Sequence, residues 1–111
     1  MTMDQLKAFG ADTEQGLSRC MGREDFYLRM VHAGVEDPHF ASLEKNLAKN
    51  DLQAAFEDAH ALKGVMATLA LTPLSEPVAE MTEHLRNREE MDYGPLLTRV
   101  LALKKKLADL E

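Results

Sequence analysis

Apolar residues recur along this chain at three- and four-residue steps from end to end, and no stretch keeps the strict alternation of a half-buried strand. The spacing predicts an all-α fold. After a loosely patterned start, Asp12 or Thr13 is placed to cap a short helix carrying Leu17 and Met21, closed by the segment around Gly22. Phe26, Met30 and Ala33, then Phe40, Leu43 and Leu47, form the next stripe, with Asp37-Pro38 between the two sets. Proline tolerates a first turn but breaks or kinks an interior, so this is one long bent helix or two consecutive ones. From a cap at Asp51, the stripe Leu52, Ala55, Phe56, Ala59, Leu62, Met66 and Leu69 runs in one phase, a helix of about twenty residues. Leu74, Val78, Met81 and Leu85 follow Thr72-Pro73, and a last stripe from Leu96 to Leu110 follows Gly94-Pro95. Short links between helices of similar length make neighbours antiparallel. The expected architecture is therefore an up-and-down four-helix bundle with a short additional N-terminal helix.

Size and charge narrow the functional classes. A chain of 111 residues supports one modest core, so a single domain over 1–111 is expected. Acidic side chains outnumber basic ones by 19 to 13, and the Lys and Arg residues are scattered apart from Lys104, Lys105 and Lys106. Nucleic acid is not an expected partner, because no broad basic face is available for phosphates. The three lysines fall in the last turns of the final helix, where they meet its dipole favourably. Cys20 is the lone cysteine, and the opening MTMDQLKAFG lacks the basic and apolar regions of a signal peptide, which points to the cytoplasm. The longest nearly apolar run, Val65 to Leu71, is too short to cross a bilayer, so no membrane association is expected.

The chemistry concentrates in AFEDAHALKGVMATLA, Ala55 to Ala70. At about 100° per residue, His60 lies roughly 130° from the centre of the apolar stripe and should face water. Lys63 and Gly64 follow it by three and four residues and Glu57 precedes it by three, so the four share one surface. A Lys-Gly pair is also an ordinary helix stop. Met66 and Leu69, however, continue the stripe in phase, so the helix is expected to run through Gly64 despite a cost of about 1 kcal/mol relative to alanine. A missing side chain beside an exposed imidazole leaves a hollow suited to the close approach of a partner.

The segment AHALKG, with His60, Lys63 and Gly64, resembles the core motif of histidine-containing phosphotransfer (HPt) domains, helical-bundle intermediates of bacterial multistep phosphorelays. NLAKNDLQAAFEDAHALKG extends the likeness through the preceding helix and turn, and LSEPVAEMTEHL through the following helix, so that it covers roughly residues 12–110. The chain departs from the family pattern just after the glycine, at Val65, Met66, Thr68 and Ala70. The resemblance implies that Nε2 of His60 accepts a phosphoryl group from an aspartyl phosphate on a response-regulator receiver domain and passes it to another. Lys63 would offset the phosphoryl charge and Gly64 would give clearance. Phe56, Glu57 and Ala67 are the further candidates for partner contact. The resemblance also implies an upstream (hybrid) sensor histidine kinase, a monomeric carrier without a cofactor of its own, and Mg²⁺ carried by the receiver.

No phosphate-binding glycine loop or kinase signature is present, so autophosphorylation from ATP is not expected. Glu57 to His60 forms an E-x-x-H unit of the kind used by di-iron bundles, but such sites need a second unit and two inward glutamates. The other match, Glu36 to His39, contains Pro38, and no metal site is expected. His32, His39 and His84 read as surface or margin residues, and Met30, Met66 and Met81 as core fillers. The rival reading is a helical adaptor that binds a receiver or sensor kinase without carrying phosphate.

Overall fold

In the computed structural model, which describes residues 1–111, the chain forms seven helices and no strand. The first, α1 (Met3–Phe9), starts in a capping box: Gln5 N–H donates to the Thr2 hydroxyl at 3.1 Å and Thr2 N–H to Gln5 Oε1 at 2.9 Å. It buries a single residue, Leu6. Met3 and Phe9, one turn to either side, pack partly buried against the core, but two turns are too short a run for the apolar pattern to announce this helix.

Asp12 caps α2 (Thr13–Arg19), accepting from Gln15 N–H at 3.1 Å. The helix closes earlier than its pattern suggests, because Gly22 N–H returns to the Leu17 carbonyl at 2.8 Å. Met21, expected on the helix, lies beyond it at φ 56° and is 86% exposed.

The Asp37-Pro38 break resolves into two consecutive helices, α3 (Glu24–Val35) and α4 (His39–Ala48). Pro38 occupies the cap position of α4, where its absent N–H costs nothing, and Asp37 Oδ1 accepts from His39 N–H at 2.8 Å. The expected core face of α3 is corrected by one position: Tyr27, Val31, Gly34 and Val35 are buried, whereas Phe26 is half-buried and Met30 and Ala33 are exposed. Gly34 supplies the reason. A Cβ there would sit 2.6 Å from Leu69 Cδ1, so the glycine lets α3 press directly onto α5 and turns that face inward.

The central helix is α5 (Leu52–Thr68), capped by Asp51 through a 3.1 Å bond from Ala54 N–H. It packs against α4 on one side and against α6 (Thr72–Arg86) on the other; α6 meets α7 (Gly94–Ala108), and α3 closes against α7. This is a four-helix bundle whose first helix is broken into α3 and α4. Its core of 21 residues extends from Leu6 to Leu107 and includes the whole expected α6 stripe, Leu74, Val78, Met81 and Leu85. A polar node joins α5 to α4 at its edge: Asp58, 6% exposed, accepts from Ser42 Oγ at 3.0 Å and Asn46 Nδ2 at 2.7 Å.

The N-terminal segments grip the far end of α5. Asp12 N–H donates to the Ala70 carbonyl at 2.9 Å, and Arg19 donates to the last carbonyls of the helix, those of Ala67 and, at 3.0 Å, Thr68. Terminal carbonyls have no partner within their own helix, so these bonds finish α5. The buried Tyr27 hydroxyl donates to the Leu69 carbonyl at 2.8 Å. Burial pushes this phenol up to about 12, with the nearby Cys20 and Asp12 adding in the same direction.

Candidate functional site

The stripe that buries Ala55, Ala59, Leu62 and Met66 leaves the opposite side of α5 to solvent. His60 is exposed there, as the helical phase predicts. The helix continues through Gly64, which is itself exposed, and a Cβ built on it would meet nothing within 4 Å. The hollow beside the imidazole therefore exists, and no packing inside this chain requires the glycine.

Three of the four histidines place Nδ1 on a carboxylate: His32 on Glu111 at 2.7 Å, His39 on Asp37 at 2.7 Å, and His84 on Glu89. His60 has no such partner. Its neighbour is an aromatic ring instead, with Phe56 stacked one turn earlier at 5.6 Å between centroids and 22° between planes. Both ring nitrogens stay available to an incoming group, so the histidine whose chemistry is free is the one set off the apolar stripe.

Around this imidazole the structure gathers some of the expected residues and adds others. Lys63 is half-buried, its Nζ 3.8 Å from Glu83 on α6, and Glu83 also meets Arg86 Nε at 3.5 Å. Glu57 is exposed and accepts from Gln53 Nε2 at 3.2 Å. Ala67 is also exposed, two turns beyond His60 near the C-terminal end of α5. Arg86 and Arg88 hold their guanidiniums over the Phe56 ring at 5.1 and 5.6 Å. Sequence reasoning missed Glu83, Arg86 and Arg88, since the charged run at the end of α6 reads as a helix stop and only the α5–α6 packing carries it to the histidine.

On the α3 side, Met30, Ala33, Ala61, Gly64, Val65 and Leu69 line a shallow, largely apolar groove that reaches the hollow. The same one-position rotation of α3 that exposes Met30 forms its wall. No helix is long and apolar enough to cross a membrane.

The structure thus sets an exposed histidine on the open face of a helical bundle, with a lysine three residues on and an unpacked glycine four residues on. In the comparison with protein families, the Hpt domain model matches residues 37–111, and the chain belongs to this family. The match begins at the Asp37-Pro38 break, so it takes in α4 to α7 and leaves α1 to α3 outside. No curated protein and no solved structure matches the chain significantly. Hpt domains serve histidine phosphotransfer in phosphorelays as phosphocarriers rather than kinases, and work with receiver domains and kinases.

Proposed function

We propose that His60 is the phosphoacceptor, taking a phosphoryl group from a receiver aspartate and relaying it to another. The observation that carries this reading is the unpaired, exposed imidazole of His60 beside the open space at Gly64. A neutral imidazole offers a nucleophilic ring nitrogen. In the transfer step the Nε2 lone pair bonds to phosphorus as the phosphorus–oxygen bond to aspartate breaks, and the carboxylate leaves with that electron pair. The return step reverses these changes on a second receiver.

The transition state of phosphoryl transfer is loose, so positioning and charge stabilisation supply most of the catalysis. The receiver brings Mg²⁺ and its acidic cluster. This chain contributes the nucleophile, the Lys63 ammonium to offset a group of roughly −1.5 to −2 charge, and clearance at Gly64. Lys63 can turn from Glu83 to the phosphoryl oxygens, because a half-exposed pair at 3.8 Å holds it only weakly. The groove from Met30 to Leu69 receives an apolar edge of the receiver, and Glu57 and Ala67 lie where the rest of that domain would touch. The carrier acts as a monomer in the cytoplasm.

The test is a two-step relay. The protein is incubated with a phosphorylated receiver and Mg²⁺, re-isolated, and offered to a second, unphosphorylated receiver. Acid-labile, base-stable phosphate on the carrier, followed by its appearance on the second receiver, is expected. Stable binding to receivers without any labelling would favour an adaptor and overturn the proposal.

A further inference from the structure

The phosphoacceptor reading leaves unexplained why an exposed histidine, which ordinarily samples its rotamers within picoseconds to nanoseconds, should be geometrically competent when a receiver arrives. Phe56 lies one turn before it with the rings nearly parallel, at 5.6 Å and 22°. Phe56 is in turn held. It is half-buried against the core, and Arg86 and Arg88, from α6 and the segment after it, bring guanidiniums to 5.1 and 5.6 Å from its centroid.

Arg86 is itself tethered to Glu83, while Arg88 donates to the Leu85 carbonyl at 2.8 Å and to Gln53 Oε1. Gln53 lies one turn before Glu57, to which it donates at 3.2 Å. The ring under the imidazole is thus fixed by two helices at once. Cation–π attraction acts at the ring, and conventional hydrogen bonds hold one of the two cations.

We infer that Phe56, anchored by Arg86 and Arg88, is a positioning residue that preorganises the His60 imidazole for in-line phosphoryl transfer. The inference rests on the phosphoacceptor reading of His60 and adds to it a role for the aromatic platform. Phe56 acts through His60 and touches no reacting atom. Holding a side chain before the encounter removes the ordering cost from the transfer step, which corresponds to about a 5-fold gain in rate for one immobilised ring. The arginines contribute indirectly by fixing the platform, so removing one has a smaller effect than removing Phe56.

The experiment separates orientation from docking. Proton NMR of the unphosphorylated protein is expected to show the His60 ring protons displaced by the Phe56 ring current and a single dominant rotamer, both lost in Phe56→Ala. Single-turnover transfer from a phosphorylated receiver is expected to fall about 5-fold at saturating receiver in that variant, with the receiver Kd unchanged. Phe56→Tyr restores the rate and Arg86→Gln falls between. A weaker Kd with an unchanged saturating rate would make Phe56 a docking contact and overturn the inference, as would a rotamer-averaged His60 in the wild type. Circular dichroism establishes that each variant keeps its helices. If no receiver labels the wild type, the phosphoacceptor reading fails, while the NMR comparison still decides whether Phe56 orders His60.

Discussion

The two sides of α5 differ in what they ask of the sequence. On one, Ala55, Ala59, Leu62 and Met66 are wholly buried, and any change of volume is felt by helices on both flanks. On the other, His60 and Gly64 stand in solvent, where packing imposes almost nothing. A helix that places its core residues on one face is free to carry residues with chemical work on the other. The glycine illustrates the difference, since it is unfavourable for helix stability and has no packing role to offset that cost.

Substitutions on each side should therefore separate stability from transfer, and the largest separation is expected at His60. His60→Gln should abolish labelling by a phosphorylated receiver while the thermal midpoint stays within error of the wild type; a large drop in the midpoint would show that the two faces are coupled. Met66→Ala should do the reverse, costing about 2–5 kcal/mol in urea denaturation while leaving transfer by the folded fraction intact. Asp58→Ala tests the polar node. It strands the Ser42 and Asn46 donors at the α4–α5 contact and should cost about 1–3 kcal/mol, again without a direct effect on transfer. Gly64→Gln should leave stability unchanged or raise it by up to about 1 kcal/mol on propensity, yet slow transfer by filling the hollow. Equal transfer rates in this variant and the wild type would remove the clearance explanation for the glycine.

The smallest expected effect depends on pH. The folded Tyr27 phenol is pushed up to about 12 from an ordinary 10. Below pH 10 both the folded and unfolded phenols hold their protons, and this contribution is fully present; between 10 and about 12 the unfolded phenol ionises first and the contribution is lost. Tyr27→Phe should lack that part of the alkaline decline, seen as a flatter stability profile between pH 10 and 12. It should also be less stable at neutral pH, by about 1 kcal/mol, for want of the bond to the Leu69 carbonyl.

How far the sequence disclosed this arrangement follows from which forces act locally. The four bundle segments, the α5 phase and the exposure of His60 all follow from three- and four-residue spacing, because burial of a helix face leaves that trace. The fate of Asp37-Pro38 did not, since a kinked helix and a capped restart share one pattern. The rotation of α3 was hidden because Gly34 reads as a weak helix residue until α5 is placed against it. In α1, a capping box starts a helix of only seven residues, and its stripe of Met3, Leu6 and Phe9 is too short to stand out from the loosely patterned start.

At the site, His60, Lys63 and Gly64 lie on one helix, and their spacing alone puts them together. Glu83, Arg86 and Arg88 come from elsewhere, so only the tertiary packing of α6 brings them near. The unpaired state of His60 was equally invisible: it emerges by contrast with His32, His39 and His84, whose carboxylate partners lie as many as 79 residues away in sequence.

That contrast supplies the most direct measurement. The wild type and the four variants His32→Gln, His39→Gln, His60→Gln and His84→Gln are each incubated with the same phosphorylated receiver and Mg²⁺, and phosphate retained at alkaline pH is quantified on the intact chain by mass spectrometry. One phosphoryl group on the wild type and on every variant except His60→Gln is the predicted result. Label persisting on His60→Gln, or lost from another variant that remains folded, would contradict the assignment of the chemistry to the open face of α5.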